Sequence, residues 1–63
     1  MSKISTMIGG TLEVNNLPDM TGKSGFMVVT NDRGDLWYYG LYETEERARQ
    51  AVSEHDNKFV VKV

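Results

Sequence analysis

Few residues in this chain are equipped for catalysis. His55 is the one imidazole, with Glu54 and Asp56 beside it, and no cysteine is present to serve as nucleophile or thiolate ligand. A structural zinc site needs several His or Cys ligands, which His55 lacks. Between two carboxylates at the end of a polar stretch, it reads as a solvated helix terminus favoured by the helix dipole rather than as a general base. No Gly-rich phosphate loop opens a helix, and no serine stands on a nucleophile elbow. The expectation is a chain that is not an enzyme, with no cofactor and no metal.

Asn31, Asp32 and Asp35 cluster oxygen ligands of the kind hard cations take. Their spacing departs from the twelve-residue calcium loop, and Asn and Asp are the ordinary residues of tight turns. Arg33-Gly34-Asp35 spells the tripeptide read by adhesion receptors, but Gly34 and its neighbours are accounted for by the turn itself.

The aromatic residues are the most suggestive group. Trp37, Tyr38 and Tyr39 run together, with Phe26 and Tyr42 nearby in sequence and Lys58, Lys62 and Arg33 available as cations. On a sheet, such rings can stack bases of single-stranded nucleic acid, Trp37 and Tyr39 forming the platform and Lys58 and Lys62 meeting phosphate. They can equally form the core of a small domain or a protein interface. With Lys and Arg at 7 against Asp and Glu at 9, the formal net charge is −2, and phosphate binders usually carry a positive field. Nucleic acid is therefore the alternative, not the leading expectation.

Hydrophobic periodicity gives the strands and the helix that carry these residues. Thr11 to Asn15 alternates, placing Leu12 and Val14 on one side of a short strand, the only one expected in the first two dozen residues. Asn16 to Ser24 reads as a loop. Phe26 to Thr30 and Leu36 to Tyr42 are β-rich runs about an Asn-Asp-Arg-Gly-Asp turn, which predicts a β-hairpin with Gly34 as the left-handed residue of a three- to five-residue loop.

If Asn31 pairs with Asp35, Phe26, Val28, Leu36 and Tyr38 share one face, and Met27, Val29, Trp37, Tyr39 and Leu41 share the other. Neither face is polar, as one face of a half-wet hairpin should be. Thr44 to His55 predicts a helix with Thr44 as N-cap, acidic Glu45 and Glu46 in its first turn, and a small inner face of Ala48, Ala51 and Val52. Asp56 and Asn57 close it, Asn57 in the left-handed conformation. Lys58 to Val63 is a last strand with Phe59, Val61 and Val63 on one side and Lys58, Val60 and Lys62 on the other.

The run Gly40-Leu41-Tyr42-Glu43-Thr44-Glu45-Glu46-Arg47-Ala48 resembles the strand-to-helix turn of SPOR domains, small sheet-and-helix modules that bind peptidoglycan. The resemblance spans one strand and one helix start, and the repeated βαβ pattern of that family is not found here. It implies no function for this chain.

At 63 residues, one core is the whole structural problem. A chain of this size buries roughly 60% of the surface it exposes when unfolded, and without cysteines it has no disulfide to add stability. Residues 1–63 are expected to form one small α+β domain, an antiparallel sheet of about four strands with one helix on one face, residues 1–9 being allowed to be flexible.

One helix leaves the other sheet face uncovered, either that of Trp37 and Tyr39 or that of Phe26, Val28 and Tyr38. This predicts self-association, most simply as a dimer, with Met27, Val29, Trp37, Tyr39 and Leu41 as the contact residues. A monomer of purely structural role would instead have its N-terminal segment wrapped over that face. The functional expectation is a small interaction protein, similar in general character to accessory proteins of phages and mobile elements, with an unidentified protein as a second possible partner. The N-terminal apolar stretch of Ile4, Met7 and Ile8 is too short for a signal h-region or a membrane span, so a cytoplasmic, membrane-free location is expected.

Overall fold

A computed structural model describes residues 2–5 and 9–63. Among them five strands and one helix run in the order β1 (Ser2–Ser5), β2 (Thr11–Val14), β3 (Phe26–Asp32), β4 (Asp35–Tyr42), α1 (Glu45–Val52) and β5 (Lys58–Lys62). β1 and β2 pair antiparallel as a two-stranded sheet, and β4, β3 and β5 form a second antiparallel sheet with β3 in the centre. The chain is thus a small α+β fold, as its periodicities predict. Both β4 and β5 run antiparallel to β3, so they run parallel to each other. The helix supplies the long connection that a return in the same direction requires.

β1 is a difference from expectation. Ser2-Lys3-Ile4-Ser5 contains one apolar residue, too few to alternate, and it becomes a strand because β2 offers a partner: Ile4 lies opposite Leu12 and Ser2 opposite Val14. The flexibility allowed for 1–9 falls in part on residues 1 and 6–8, outside the described residues.

The β3–β4 hairpin also differs. Its turn has two residues, Arg33 and Gly34, both left-handed with φ of 54° and 95°, as a type I′ turn demands. The Asn31 side chain accepts from the Gly34 N–H at 2.9 Å and holds the turn closed. Asn31 therefore faces Leu36 instead of Asp35. One residue of slip exchanges the two faces of a strand. A β-bulge follows, since Val29 pairs with Tyr38 and Val28 with Gly40, leaving Tyr39 as the extra residue, and the bulge restores the original parity beyond it.

In consequence Leu36, Tyr38 and Leu41 share a face with Met27 and Val29, while Trp37, Gly40 and Tyr42 share the other with Phe26, Val28 and Thr30. On β5, Phe59 and Val61 oppose Val29 and Met27, and Val60 opposes Val28.

Burial follows that division. Val14, Met27 and Val29 are fully buried in one cluster, surrounded by Ile4, Leu12, Leu17, Met20, Leu36, Tyr38, Leu41, Val61 and Val63. The face expected to lie open is thus covered by the β1–β2 ribbon and by the loop after it. On the opposite face α1 lies against β5, β3 and β4, where Ala48 and Val28 are fully buried outside that cluster. A small residue such as Ala48 lets the helix approach closely but adds little buried area.

Helix α1 starts as its sequence predicts. The Thr44 hydroxyl accepts from the Arg47 N–H at 3.2 Å, satisfying one of the free donors of the first turn. It ends earlier, at Val52, with Ser53 in right-handed conformation as its cap. Asn57 is not left-handed. Its carbonyl instead accepts from the Asn31 N–H at 2.6 Å and begins the β3–β5 ladder.

Candidate functional site

The register places Trp37 on the helix side of the sheet, near the β3–β4 turn. Tyr39, as the bulge residue, points to that same side: the Lys58 ammonium lies over its ring at 5.0 Å from the centroid, and Lys58 stands opposite Thr30, the partner of Trp37. Trp37 is 45% exposed and Tyr39 49%. Two large rings this open on one face make an apolar patch of the kind that marks contact surfaces.

Further along the same face, the Lys62 ammonium lies 4.5 Å from the centroid of the Phe26 ring. Tyr42 folds back so that its ring fills the space above Gly40, where a Cβ would stand 3.1 Å from the Tyr42 hydroxyl oxygen. Glycine at this position makes room for the ring. The result is a strip running Trp37, Tyr39, Gly40, Tyr42 along β4, with Lys58 and Lys62 reaching over rings from β5. An exposed ammonium over a ring contributes about 0.5–1 kcal/mol, so Lys58 steadies Tyr39 without locking it.

The five residues expected to share one contact face are separated by this geometry. Met27 and Val29 are fully buried and Leu41 packs beside them under the N-terminal ribbon, whereas Trp37 and Tyr39 are exposed on the other side. The four residues of the nucleic-acid alternative, Trp37, Tyr39, Lys58 and Lys62, lie on one face. Phe59 is a surface residue that the alternation of β5 does not reveal. It belongs to the face of Val61, yet it is 38% exposed, because β5 is an edge strand and Phe59 lines an open cleft between β5 and the start of β2.

His55 is exposed, and its backbone N–H donates to the Val52 carbonyl at 3.0 Å as the chain leaves the helix. Asp32 and Asp35 stand opposite each other across the turn, and both are exposed. Among the described residues no three of His, Cys, Asp or Glu come together as a metal would require. Nor is any helix among them long and apolar enough to cross a membrane. Compared with protein-family models, curated proteins and solved structures, the chain matches none.

Proposed function

We propose that this chain is a small non-enzymatic interaction protein that self-associates through the exposed aromatic strip of β4, centred on Trp37 and Tyr39. The observation that supports it is the pairing of two half-exposed rings on a bulged strand, with Lys58 laid over one of them. Aromatic residues at the centre of a contact dominate its energy, and a symmetric dimer needs just one such strip per copy. The strip is narrow. With the opposite sheet face covered by the N-terminal ribbon, the two rings offer far less than the roughly 800 Å² per partner of a standard interface. A contact of that size belongs with the weak, transient ones. A cytoplasmic setting, which suits a chain without cysteines, goes with this reading.

Emission of Trp37 tests it directly, because it is the sole tryptophan. A blue shift on concentrating the protein, abolished by Tyr39→Ala, is the expected result. An emission maximum independent of concentration would remove the proposal.

A second reading is favoured by the Lys58 ammonium over the Tyr39 ring, on the face that also carries Trp37, which offers a stacking surface with a cation for single-stranded nucleic acid. The net charge of −2 opposes it. It predicts quenching of Trp37 by an oligonucleotide, relieved by added salt.

A further inference from the structure

The outer edge of β5 is a second place where this molecule can take a partner. Gly25 and Val63 exchange both backbone hydrogen bonds, at 3.1 and 2.9 Å, and the Asn31 N–H donates to the Asn57 carbonyl. In an antiparallel ladder this alternation turns the backbone groups of Phe59 and Val61 toward β3 and those of Lys58, Val60 and Lys62 away from it. Among the described residues no backbone group bonds to those three outward-facing positions, and β5 ends the sheet. Beside the edge lies a cleft of about 390 Å³, lined by Gly10, Thr11 and Leu12 on one side and Phe59, Val60, Val61 and Lys62 on the other.

We propose that this edge binds an extended segment of another protein as an added antiparallel strand, with acidic residues opposite Lys58 and Lys62 and apolar residues opposite Phe59 and Val61. Main-chain bonds to Lys58, Val60 and Lys62 would supply affinity, and alternate side chains would supply specificity. The residues facing Phe59 and Val61 enter the apolar cleft against Leu12. Those facing Lys58 and Lys62 draw each ammonium outward from the Tyr39 and Phe26 rings over which it now lies, a weak contact to give up for a carboxylate.

A second copy of this chain is the poorer occupant. Antiparallel pairing of β5 with itself about Val60 sets Lys58 against Lys62 of the other copy, twice. Like charges directly opposite are unfavourable, and lysines on an edge are a common guard against self-pairing. An acidic strand converts the same two lysines from repulsive to attractive.

Fluorescence anisotropy with a labelled five-residue peptide of pattern acidic–apolar–polar–apolar–acidic tests the proposal, with a peptide carrying lysines for the acidic residues as control. The acidic peptide should bind and the basic one should not. Val60→Pro removes an outward N–H while leaving the β3 ladder intact, a position where edge strands tolerate proline. It should weaken binding by about tenfold or more, with circular dichroism unchanged.

The double variant Lys58→Glu, Lys62→Glu provides an independent check should proline disturb the fold, and it should reverse the preference between the two peptides. Trp37→Glu should leave peptide binding intact, which separates this edge from the aromatic strip. No binding at millimolar acidic peptide would overturn the proposal, and so would equal binding of both peptides. A mass increase with concentration that Val60→Pro abolishes would assign the edge to a second copy instead.

Discussion

Asn15 and Trp37 form a parallel bridge that fastens the N-terminal ribbon to the edge of the three-stranded sheet. The Asn15 N–H donates to the Leu36 carbonyl at 2.8 Å, and the Tyr38 N–H donates to the Asn15 carbonyl at 3.0 Å. Immediately afterwards Asn16 takes a left-handed conformation, φ 62°, and turns the chain away from the sheet. Asn tolerates that region better than other non-glycine residues. The bridge thereby occupies part of the outer edge of β4 while leaving the rings of Trp37 and Tyr39 exposed on its face.

Loss of this bridge should loosen the ribbon. Asn15→Pro removes the donor to Leu36 and should destabilise the fold by about 2–3 kcal/mol in urea denaturation, through loss of the bond and of the packing that depends on it. Asn15→Ala keeps the backbone donor and should cost well under half as much.

Gly25 and Gly34 both have positive φ, but they should respond differently to a methyl group. At Gly34, φ 95°, a Cβ would meet nothing within 4 Å, so Gly34→Ala should cost about 1–2 kcal/mol from backbone strain alone. At Gly25, φ 141°, the same Cβ would stand 2.6 Å from the Tyr42 carbonyl oxygen, a backbone atom with no room to yield. Gly25→Ala should therefore cost more than Gly34→Ala. Equal losses in thermal unfolding would show that the close approach at Tyr42 carries no weight.

The two sides of the hairpin should differ just as sharply. Met27 is fully buried, and Met27→Ala should cost about 2–5 kcal/mol, a large share of the roughly 5–15 kcal/mol by which small domains are stable. Tyr39 is half exposed, and Tyr39→Ala should cost about 1 kcal/mol or less. Chemical denaturation of both variants checks the assignment of faces.

A pH response is expected from the loop before β3. The Thr21 N–H donates to the Asp19 carboxylate at 3.0 Å, and this bond, aided by the Thr21 side chain and the charge of Lys23, holds the Asp19 carboxyl below its ordinary value of 3.8. A lowered folded value means that the carboxylate favours the folded loop. That contribution is complete above the unfolded value and is lost as pH falls through the folded one. An NMR titration should give Asp19 a midpoint below 3.8, with the Thr21 amide resonance moving in step. A midpoint at or above that value would contradict the bond.

Much of this architecture is legible in the residue pattern, for reasons that differ by element. The alternation of Phe59, Val61 and Val63 against Lys58 and Lys62 marks β5, and Thr44 followed by two glutamates marks the start of α1. β1 is silent because it has one apolar residue and depends on its partner strand. The faces of the hairpin depend on whether Arg33 enters the left-handed region, which its residue type disfavours, and on a bulge at Tyr39 that no turn residue announces. Each shifts the register by one, so Leu36 and Tyr38 exchange sides with Trp37 and Tyr39 while Leu41 does not. The aromatic candidates were thus legible as a group, whereas their division into core and surface was not.

If Trp37 and Tyr39 form a contact surface between copies, the solution mass, read by light scattering, must depend on concentration. Measured over about a hundredfold range of concentration, the average mass should rise from monomer toward dimer, and Trp37→Glu should remain monomeric and folded at every concentration. A chain that stays monomeric throughout, or a Trp37→Glu variant that associates as the parent does, would rule this contact out.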